Sequence, residues 1–258
     1  MNNQQTQRLI QENLENCWRA LAKTGYLTLQ NNNAAIYMDS GTPEALLNSV
    51  IRFCPTEKNL EQEIQKIEQF YKIKNLPFCW WIPQNELFNH INRKLFGRGF
   101  RQTMECKGMA LDFSSLPLEC ALPDNIHIVQ ATTPEQLSDW IGALRIAFDM
   151  DEDAALWYKN MFAQLKSELM PCYVAYCGDQ PVSSLTLFLD KKSASFYNVG
   201  TIPDFRHQGL TTAMTFYCLE IARQKGYTWA TLQANPNSVR LYTRMGFKTY
   251  IDYRLYFK

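Results

Sequence analysis

The chain has 258 residues, of which 46% are hydrophobic and 20% are charged, and its formal net charge is only +1. This composition supplies a hydrophobic core for one large domain or two small ones and argues against long disordered segments. The balanced charge, without a long basic run, argues against nucleic-acid binding, which needs a broad surface to neutralise phosphates.

The first half of the chain predicts a mixture of helices and strands. An amphipathic pattern predicts a helix over residues 4–23, and two short strand-like runs follow at 26–29 and 34–38. Thr42-Pro43-Glu44 predicts the start of a helix that continues to about Phe53, because proline is favoured in a first helical turn. Further helices are predicted at about 58–74 and 85–96, with strands at 78–82 and 101–113.

A segment with little periodicity, residues 114–125, is the predicted linker because it contains Pro117 and Pro123. Beyond it we predict a strand at 126–130, helices at 134–148 and 152–167, strands at 172–177, 181–189 and 194–201, a helix at 209–225, a strand at 228–233, a helix at 237–245 and a strand at 248–257. Strands mixed with helices in this way predict an α/β (α+β) fold in two domains, residues 1–122 and 123–258.

The cysteines and histidines give no indication of a metal site. The chain has eight cysteines, at positions 17, 54, 79, 106, 120, 172, 177 and 218, and neither these nor the three histidines form close ligand pairs. Most of the cysteines have apolar neighbours in sequence, which predicts reduced thiols in the core. The N-terminal segment is polar and no stretch is apolar enough to span a bilayer, so we expect a soluble cytoplasmic protein without a membrane partner.

The segment from residue 199 to residue 213 carries the strongest chemical signal. A strand ends there, a short loop holds Arg206 and Gly209, and a helix begins. Such a loop leaves several backbone N–H groups unpaired at the positive end of the helix dipole. Gly209 lets a ligand approach the backbone and Arg206 adds positive charge, so the loop is a candidate anion site. The pattern alone also fits an ordinary strand–helix turn, and the motifs GxxxxGK[ST] and GxGxxG are absent.

Two motifs in a fixed order make the interpretation more specific. Residues 206–211 (RHQGLT) match the pattern [QR]xxGx[GA], except that Thr211 stands where glycine or alanine is usual. After a predicted helix and strand, residues 235–247 (NPNSVRLYTRMGF) match the pattern Nxx(small)xxLYxxxGF. With these motifs, residues 125–258 resemble the GNAT superfamily of acyl-CoA-dependent N-acyltransferases. The resemblance implies a mixed, mostly antiparallel sheet flanked by helices, and acetyl-CoA as cosubstrate without a metal.

The resemblance also implies roles for individual residues. The backbone of Val199, Gly200 and Thr201 would pair with the pantetheine arm of the coenzyme, as an added strand does. The pyrophosphate would lie on the loop formed by Arg206, His207, Gln208, Gly209, Leu210 and Thr211. Asn235 would hydrogen-bond the pantetheine, and Tyr242 would protonate the departing CoA thiolate. Tyr242 could instead be a packing tyrosine, and the hydroxyl of Thr211 could itself bond a phosphate.

A general base is not evident. The predicted strand at 194–201 has no carboxylate, although many relatives place a glutamate there. Asn198 or Tyr197 could orient a water that removes the ammonium proton, or the amine could bind already neutral. The acidic residues 149–153 fall where the family's acceptor-binding loop lies. They fit recognition of a cationic amine, but Asp151 precedes a predicted helix, and helix capping is the favoured interpretation.

The first half of the chain contains a shorter echo of the second motif. Residues 95–100 (LFGRGF) resemble residues 241–247 (LYTRMGF), and both segments lie between an apolar strand and a second strand. This indicates a tandem arrangement whose first half is a related or degenerate GNAT-like α/β domain. No RxxGx[GA] precedes the first copy, and Phe96, aligned with Tyr242, has no hydroxyl. Chance similarity of a short string is the alternative.

The sequence thus predicts an N-acetyltransferase that moves an acetyl group from acetyl-CoA to a primary amine by direct attack in a ternary complex. The acceptor would be a small-molecule or peptide amine, and neither its identity nor the oligomeric state is written in the sequence. One alternative is a non-catalytic acyl-CoA-binding module that regulates or scaffolds a partner, which Thr211 and the missing carboxylate favour. The other is a transferase with a different acyl donor.

Overall fold

The computed structural model describes residues 1–114, 116, 122–123, 125–165 and 168–258, and most of the predicted linker lies outside these ranges. The chain divides into two compact units. Unit 1 consists of Met1–Met109, Gln233–Arg240 and Thr249–Lys258, and unit 2 consists of Ala110–Leu232 and Leu241–Lys248. The units interleave along the sequence, whereas the predicted domains are consecutive, and the limits 1–122 and 123–258 stay a prediction.

The helices and strands alternate from the start of the chain. In order, the first elements are α1 (Asn3–Ala22), β1 (Thr28–Asn31), β2 (Ala35–Asp39), a 3-10 turn (Ala45–Leu47), β3 (Ser49–Phe53), α2 (Leu60–Lys74), β4 (Cys79–Pro83), α3 (Phe88–Gly97) and β5 (Arg101–Asp112). Helix α1 begins with a capping box in which Asn2 and Gln5 exchange side-chain and backbone hydrogen bonds.

The later elements follow the same mixed pattern. They are β6 (Ile126–Gln130), α4 (Pro134–Phe148), α5 (Glu152–Ala163), β7 (Cys172–Cys177), β8 (Gln180–Leu189), β9 (Ala194–Thr201), a 3-10 turn (Pro203–Phe205), α6 (Leu210–Gln224), β10 (Trp229–Ala234), α7 (Pro236–Arg244) and β11 (Lys248–Phe257). Of the helices in the described ranges, none has both the length and the apolar composition needed to cross a bilayer.

In unit 1 the strand order is β1-β2-β3-β4-β11-β5. Strands β1, β2 and β3 pair antiparallel, as do β4 and β11, whereas β3 and β4 run parallel. The core on one side of this sheet brings together α2, α3 and the strands through Tyr71, Leu95 and Trp80, which are fully buried. Burial of these large side chains is the main contribution to the stability of the unit.

In unit 2 the strand order is β10-β9-β8-β7-β6. Strands β6 to β9 pair antiparallel, and β9 and β10 pair parallel. Helices α4 and α6 pack on strands β7, β8 and β9. Thr133 and Gln136 form a capping box at the start of α4, with Pro134 in the first turn. The predicted mixed, mostly antiparallel fold is therefore confirmed.

The helix predicted from Thr42 to Phe53 is wrong. Only a short 3-10 turn forms at Ala45–Leu47, and Ser49–Phe53 is strand β3. This strand carries the β-branched residues Val50 and Ile51 and pairs with β2 on one side and β4 on the other. Pairing on both edges buries the strand, and this tertiary environment overrides the helix-start signal of Pro43. The other predicted helices and strands agree with the structure to within a few residues. The predicted end of the helix at 152–167 lies at residues 166–167, outside the described ranges.

The prediction of core thiols is correct for most of the cysteines. Five of them are buried thiols that take part in no disulfide, namely Cys17, Cys79, Cys106, Cys172 and Cys218. Cys54 is exposed and Cys177 half-buried, while Cys120 lies outside the described residues. Burial raises the pKa of the Cys172 thiol to about 12, so it stays protonated at neutral pH and packs as a small apolar group.

Helices α3 and α7 end with the same backbone geometry. The N–H of Gly99 donates to Phe96 (3.0 Å) and that of Phe100 to Leu95 (3.1 Å). The N–H of Gly246 donates to Thr243 (3.0 Å) and that of Phe247 to Tyr242 (3.0 Å) in the same way. The structure therefore matches Leu95, rather than Phe96, with Tyr242. The equivalent order of β4-α3-β5 and β10-α7-β11 supports the predicted tandem arrangement.

The two matching glycines generate a stability prediction. Gly99 and Gly246 have φ values of +92° and +97°, which residues with a Cβ adopt at a cost of about 1–2 kcal/mol. In Gly246→Ala the new Cβ would also lie 3.2 Å from Leu111 Cδ1. We expect Gly99→Ala and Gly246→Ala each to lower the unfolding free energy by at least about 1 kcal/mol in denaturant titrations.

Gly142→Ala is the matched control for these two variants. Gly142 lies inside α4, and a Cβ there meets nothing within 4 Å. Alanine is the better helix former by about 0.8–1 kcal/mol, so this variant should be more stable than the wild type. Equal effects of all three substitutions would contradict the proposed helix-end geometry.

Candidate functional site

Strands β9 and β10 separate after a short stretch of parallel pairing. Their register pairs Ala194 with Ala230 and Ser195 with Thr231. Over the described residues the register with β10 ends there, although β9 continues to Thr201 and stays paired with β8 on its other side. We call this opening the β9/β10 fork. It leaves the edge of β9 at Val199–Thr201 without a neighbouring strand, which an extended ligand can pair with.

A bulge at Asn198 bends β9 where the fork opens. Asn198 has φ +53°, and the register of β8 with β9 shifts between Ser184 and Thr186. The hydroxyl of Ser184 donates to the carbonyl of Asn198 (2.9 Å), and the Asn198 amide donates to Thr186 Oγ1 (3.2 Å). A bulge turns a strand away from its former direction, so these bonds hold the fork open. They also direct the Asn198 amide nitrogen toward β8.

The loop after β9 leads into the start of α6, where no side chain caps the first backbone N–H groups of the helix. His207 and Gly209 have φ values of +63° and +80°, and Gly209 is the N-cap residue without a side-chain cap. The N–H of Ala213 makes the helical bond to Gly209 (3.0 Å), so those of Leu210 and Thr211 have no helical acceptor. Alternating backbone conformations of this kind aim N–H groups at one point, a geometry that suits an anion.

The side chains of the loop contribute less than its backbone. His207 and Gln208 are exposed, and Gln208 Nε2 donates to the carbonyl of Asp204 (3.2 Å) within the loop. Leu210 is 2% exposed and packs inward, so only its backbone can meet a ligand. The site therefore depends on the conformation of the chain, which the glycine permits.

Arg206 ties the loop to two other elements. Its Nε donates to the carbonyl of Thr201 (3.1 Å) at the end of β9. Its Nη2 donates to the carbonyl of Ala147 (3.0 Å) at the end of α4. Two carbonyl acceptors in a fixed direction suit the planar guanidinium, and lysine would not replace it. Arg206 thus positions the loop, in addition to bringing positive charge to it.

Gly200 is required by the close approach of α4 to β9. A Cβ at this position would lie 2.7 Å from Ala147 Cβ and 2.7 Å from Phe148 Cε2. Real Cβ atoms do not approach other carbon atoms so closely. The glycine therefore lets the end of α4 rest directly on the strand that forms the edge of the fork.

A chain of hydroxyls links β8, β9 and α6. Ser183 Oγ lies 2.9 Å from Thr201 Oγ1, which lies 3.2 Å from Thr211 Oγ1. The hydroxyl of Thr211 is thus engaged with the protein at the position where the motif usually has glycine or alanine. The hydrogen bond with Thr201 accommodates threonine at this position of the motif. The sequence does not indicate a role for Ser183, because only the strand register brings it to Thr201.

Tyr242 lies in unit 2 and is linked to β9 through Phe247. Its ring packs edge-on against Phe247 with centroids 5.7 Å apart, and Phe247 packs against Phe196 of β9 at 6.5 Å. Tyr242 is 6% exposed, and burial raises the pKa of its hydroxyl well above the ordinary value of 10. The phenol is therefore protonated at neutral pH, which is the form that a proton donor needs.

Asn235 and Asp151 are both helix caps. Asn235, an exposed residue of unit 1, precedes α7 and accepts hydrogen bonds from the N–H (3.0 Å) and the hydroxyl (3.1 Å) of Ser238 through Oδ1. Its predicted contact with pantetheine stays a prediction. Asp151 accepts a hydrogen bond from the N–H of Ala154 (2.7 Å) at the start of α5, which confirms the capping interpretation.

Unit 1 contains a similar fork with different chemistry. Strands β3 and β4 run parallel at only two residue pairs, Ser49 with Cys79 and Val50 with Trp80. Helix α2, which follows β3, has Glu61 and Glu63 in its first turn. Hydrogen bonds from Lys94, together with the charge of Arg98, lower the pKa of Glu61, so it is ionised.

Glu61 and Glu63 thus place carboxylates of the protein itself at the positive end of the α2 dipole, whereas the start of α6 has no acidic residue in its first turn. The rings of Phe53 and Trp80 also pack together, with centroids 5.0 Å apart, within the core of unit 1. The fork of unit 1 thus keeps the strand geometry without the anion site, in agreement with a degenerate first half.

Residues 135–247 match the family described as "Acetyltransferase (GNAT) family". No curated protein matches the sequence at a significant level. The matched range contains β9, the loop at residues 206–211, α6 and Tyr242, which are the parts described above.

Solved structures of similar fold cover nearly the whole chain. A GCN5-related N-acetyltransferase from Kribbella flavida superposes with a TM-score of 0.72 at 15% identity, over 93% of this chain and 92% of the other. One from Sphaerobacter thermophilus gives a TM-score of 0.67 at 15% identity, over 89% and 82%. A tandem GNAT protein from the clavulanic acid biosynthesis pathway gives 0.64 at 9% identity, over 90% and 83%. At these identities the likeness shows the fold.

The hydroxyl chain predicts the effect of changing Thr211. Because its hydroxyl bonds Thr201, we expect Thr211→Ala to keep the dissociation constant for CoA within about threefold of wild type in calorimetric titrations. Thr211→Asp places a negative charge at the same point and should weaken CoA binding by at least about tenfold. A tenfold loss in Thr211→Ala would instead assign the hydroxyl to a phosphate.

Proposed function

We propose that the protein is an N-acetyltransferase that transfers an acetyl group from acetyl-CoA to a primary amine, in keeping with the match of residues 135–247 to the acetyltransferase (GNAT) family. The observation that carries this proposal is that an open strand edge leads directly to an uncapped helix start. The edge at Val199–Thr201 suits an extended pantetheine arm, and the first turn of α6 suits a pyrophosphate.

Binding of the donor relies on groups that the fold holds in place. The backbone of β9 is fixed by its pairing with β8 and by the bonds of Arg206 to Thr201 and Ala147. The N–H groups at the start of α6 are oriented before a ligand arrives, so binding costs little reorganisation. The acyl group then lies on the N-terminal side of Val199, toward the bulge at Asn198, because the pyrophosphate end is at the start of α6.

Tyr242 is the proposed proton donor. When an amine attacks a thioester, negative charge develops on the departing sulfur, and a nearby phenol can supply a proton. The contacts of Tyr242 with Phe247, and of Phe247 with Phe196, fix the ring beside β9. Since burial raises its pKa, the proton is available throughout the neutral range.

Strand β9 has no carboxylate that could remove the proton from the acceptor amine. The strand reads ASFYNVGT, and the Asn198 amide nitrogen is bonded to Thr186. We therefore propose that the acceptor reacts as the neutral amine or gives its proton to water. A neutral nucleophile is consistent with direct attack, which needs no covalent acyl-enzyme.

A non-catalytic acyl-CoA-binding module is the second candidate function. The absence of a carboxylate from β9 favours it, because the site would bind the donor without activating an acceptor. A transferase that uses a different acyl donor is a variant of the main proposal. Both candidates share the donor site and differ in turnover.

A screen of amine acceptors separates the two candidates. We expect at least one class, among small amines, peptide amino termini and lysine side chains, to release free CoA thiol from acetyl-CoA in the presence of the protein. The acetylated amine should appear in equal amount by mass spectrometry. Tight binding of acetyl-CoA without turnover on any acceptor class would favour the non-catalytic module.

Tyr242→Phe tests the proton donor directly. We expect kcat to fall by about 100-fold, while the dissociation constant for acetyl-CoA stays within about twofold. Tyr217→Phe, a partly exposed tyrosine of α6 that packs on Tyr173, is the matched control and should keep full activity. Because the Tyr242 pKa lies above 10, the wild-type rate should not fall between pH 7 and 9 through loss of this proton. Unchanged turnover in Tyr242→Phe would remove Tyr242 from the mechanism.

A further inference from the structure

The closed end of the β9/β10 fork contains two buried hydroxyls. Ser195 and Thr231 are opposite each other in the register of the two strands, and they form the last pair before the strands separate. Both residues are 0% exposed. Neither Ser195 Oγ nor Thr231 Oγ1 has a hydrogen-bond partner within the described part of the chain. Buried hydroxyls almost always have a partner, so this pair requires an explanation.

The pairing places both hydroxyls on the same face of the sheet. Directly opposed residues of neighbouring strands project to one side, and their backbones are about 4.8 Å apart. The two hydroxyls do not bond each other. A water between two hydroxyls spans about 5.6 Å, twice an ordinary O–H···O distance. One water molecule can therefore satisfy both groups at once.

The position of this pair relative to the acyl donor rests on the proposed function. With the pyrophosphate at the start of α6 and the arm along Val199–Thr201, the acyl end lies toward Asn198 and then Ser195. Three residues of strand, from Asn198 to Ser195, span about 10 Å. The fork closes at Ser195 and Thr231, so an acyl chain that extends along this path ends at this residue pair.

We propose that Ser195 and Thr231 hold one bridging water at the closed end of the fork and thereby limit the length of the acyl chain that the site accepts. An acetyl group leaves the water in place. A longer apolar acyl group displaces it and leaves two buried hydroxyls without partners. Sites with buried polar groups discriminate strongly against ligands that leave those groups unpaired. Ser195 and Thr231 are thus specificity-determining residues for the length of the acyl chain.

The double variant Ser195→Ala/Thr231→Val tests the proposal because both changes remove a hydroxyl and nearly keep the shape. Calorimetry would give dissociation constants for acetyl-CoA and for decanoyl-CoA, whose acyl chain is long enough to reach the closed end of the fork, and this readout does not depend on turnover. We expect the wild type to bind acetyl-CoA at least about tenfold more tightly, and the double variant to bind the two within about twofold.

Thr6→Val is the control. Thr6 is also 0% exposed, but its hydroxyl donates to the carbonyl of Asn2 (3.0 Å) in unit 1. This variant should keep the wild-type preference for acetyl-CoA over the longer thioester. If the double variant does not fold, Ser195→Ala alone should reduce the preference by at least about threefold.

Three outcomes would overturn the proposal. The wild type could bind both thioesters equally, the preference could persist unchanged in the hydroxyl variants, or Thr6→Val could lose it to the same extent. Failure of the proposed donor site is distinguishable, because the wild type would then bind neither thioester, and the inference would fall with it. Absence of turnover on every amine would defeat the proposed enzyme activity and leave these binding measurements unaffected.

Discussion

The early end of the pairing between β9 and β10 is the constraint on which the site depends. Two parallel residue pairs hold the strands together, and the bulge at Asn198 then turns β9 away. A sheet that continued its pairing would satisfy its own backbone and have no edge for a ligand. Because the strands of the fork do not pair beyond Ser195 and Thr231, an extended ligand can pair with the edge of β9. Arg206 and Gly200 serve the same geometry, because they fix the end of α4 against β9.

Electrostatics distinguishes the two forks of the chain more than backbone geometry does. Both units have a parallel strand pair that separates after two residue pairs, followed by a helix. In unit 2 the helix starts at Gly209 with free N–H groups and no acidic residue in its first turn. In unit 1 the corresponding turn carries Glu61 and Glu63, which stabilise the helix dipole with side chains instead of a ligand. The two helix starts thus differ in charge while the strand geometry before them is similar.

The sequence predicts the loop well because its signals are local. The string RHQGLT alone also fits an ordinary turn, and the second motif at residues 235–247 makes the predicted anion site more specific. The glycine and the helix start lie where the sequence predicts them. The partners of Thr211 and the pairing of Ser195 with Thr231 could not be predicted, since they depend on strand register between distant segments. The error over residues 42–53 has the same origin, because pairing with β2 and β4 decides the conformation of β3. The equivalence of Leu95 and Tyr242 in the repeat also rests on backbone hydrogen bonds, which the sequence does not show.

Hydrogen exchange of the backbone amides with and without acetyl-CoA tests the central claim most directly. The account predicts slower exchange confined to two places, the edge of β9 at Val199–Thr201 and the loop and first turn of α6 at residues 207–212. The first turn of α2, which carries Glu61 and Glu63, should exchange at the same rate with and without the ligand. Protection at the start of α2, or no protection at the start of α6, would contradict a single acyl-donor site at the β9/β10 fork.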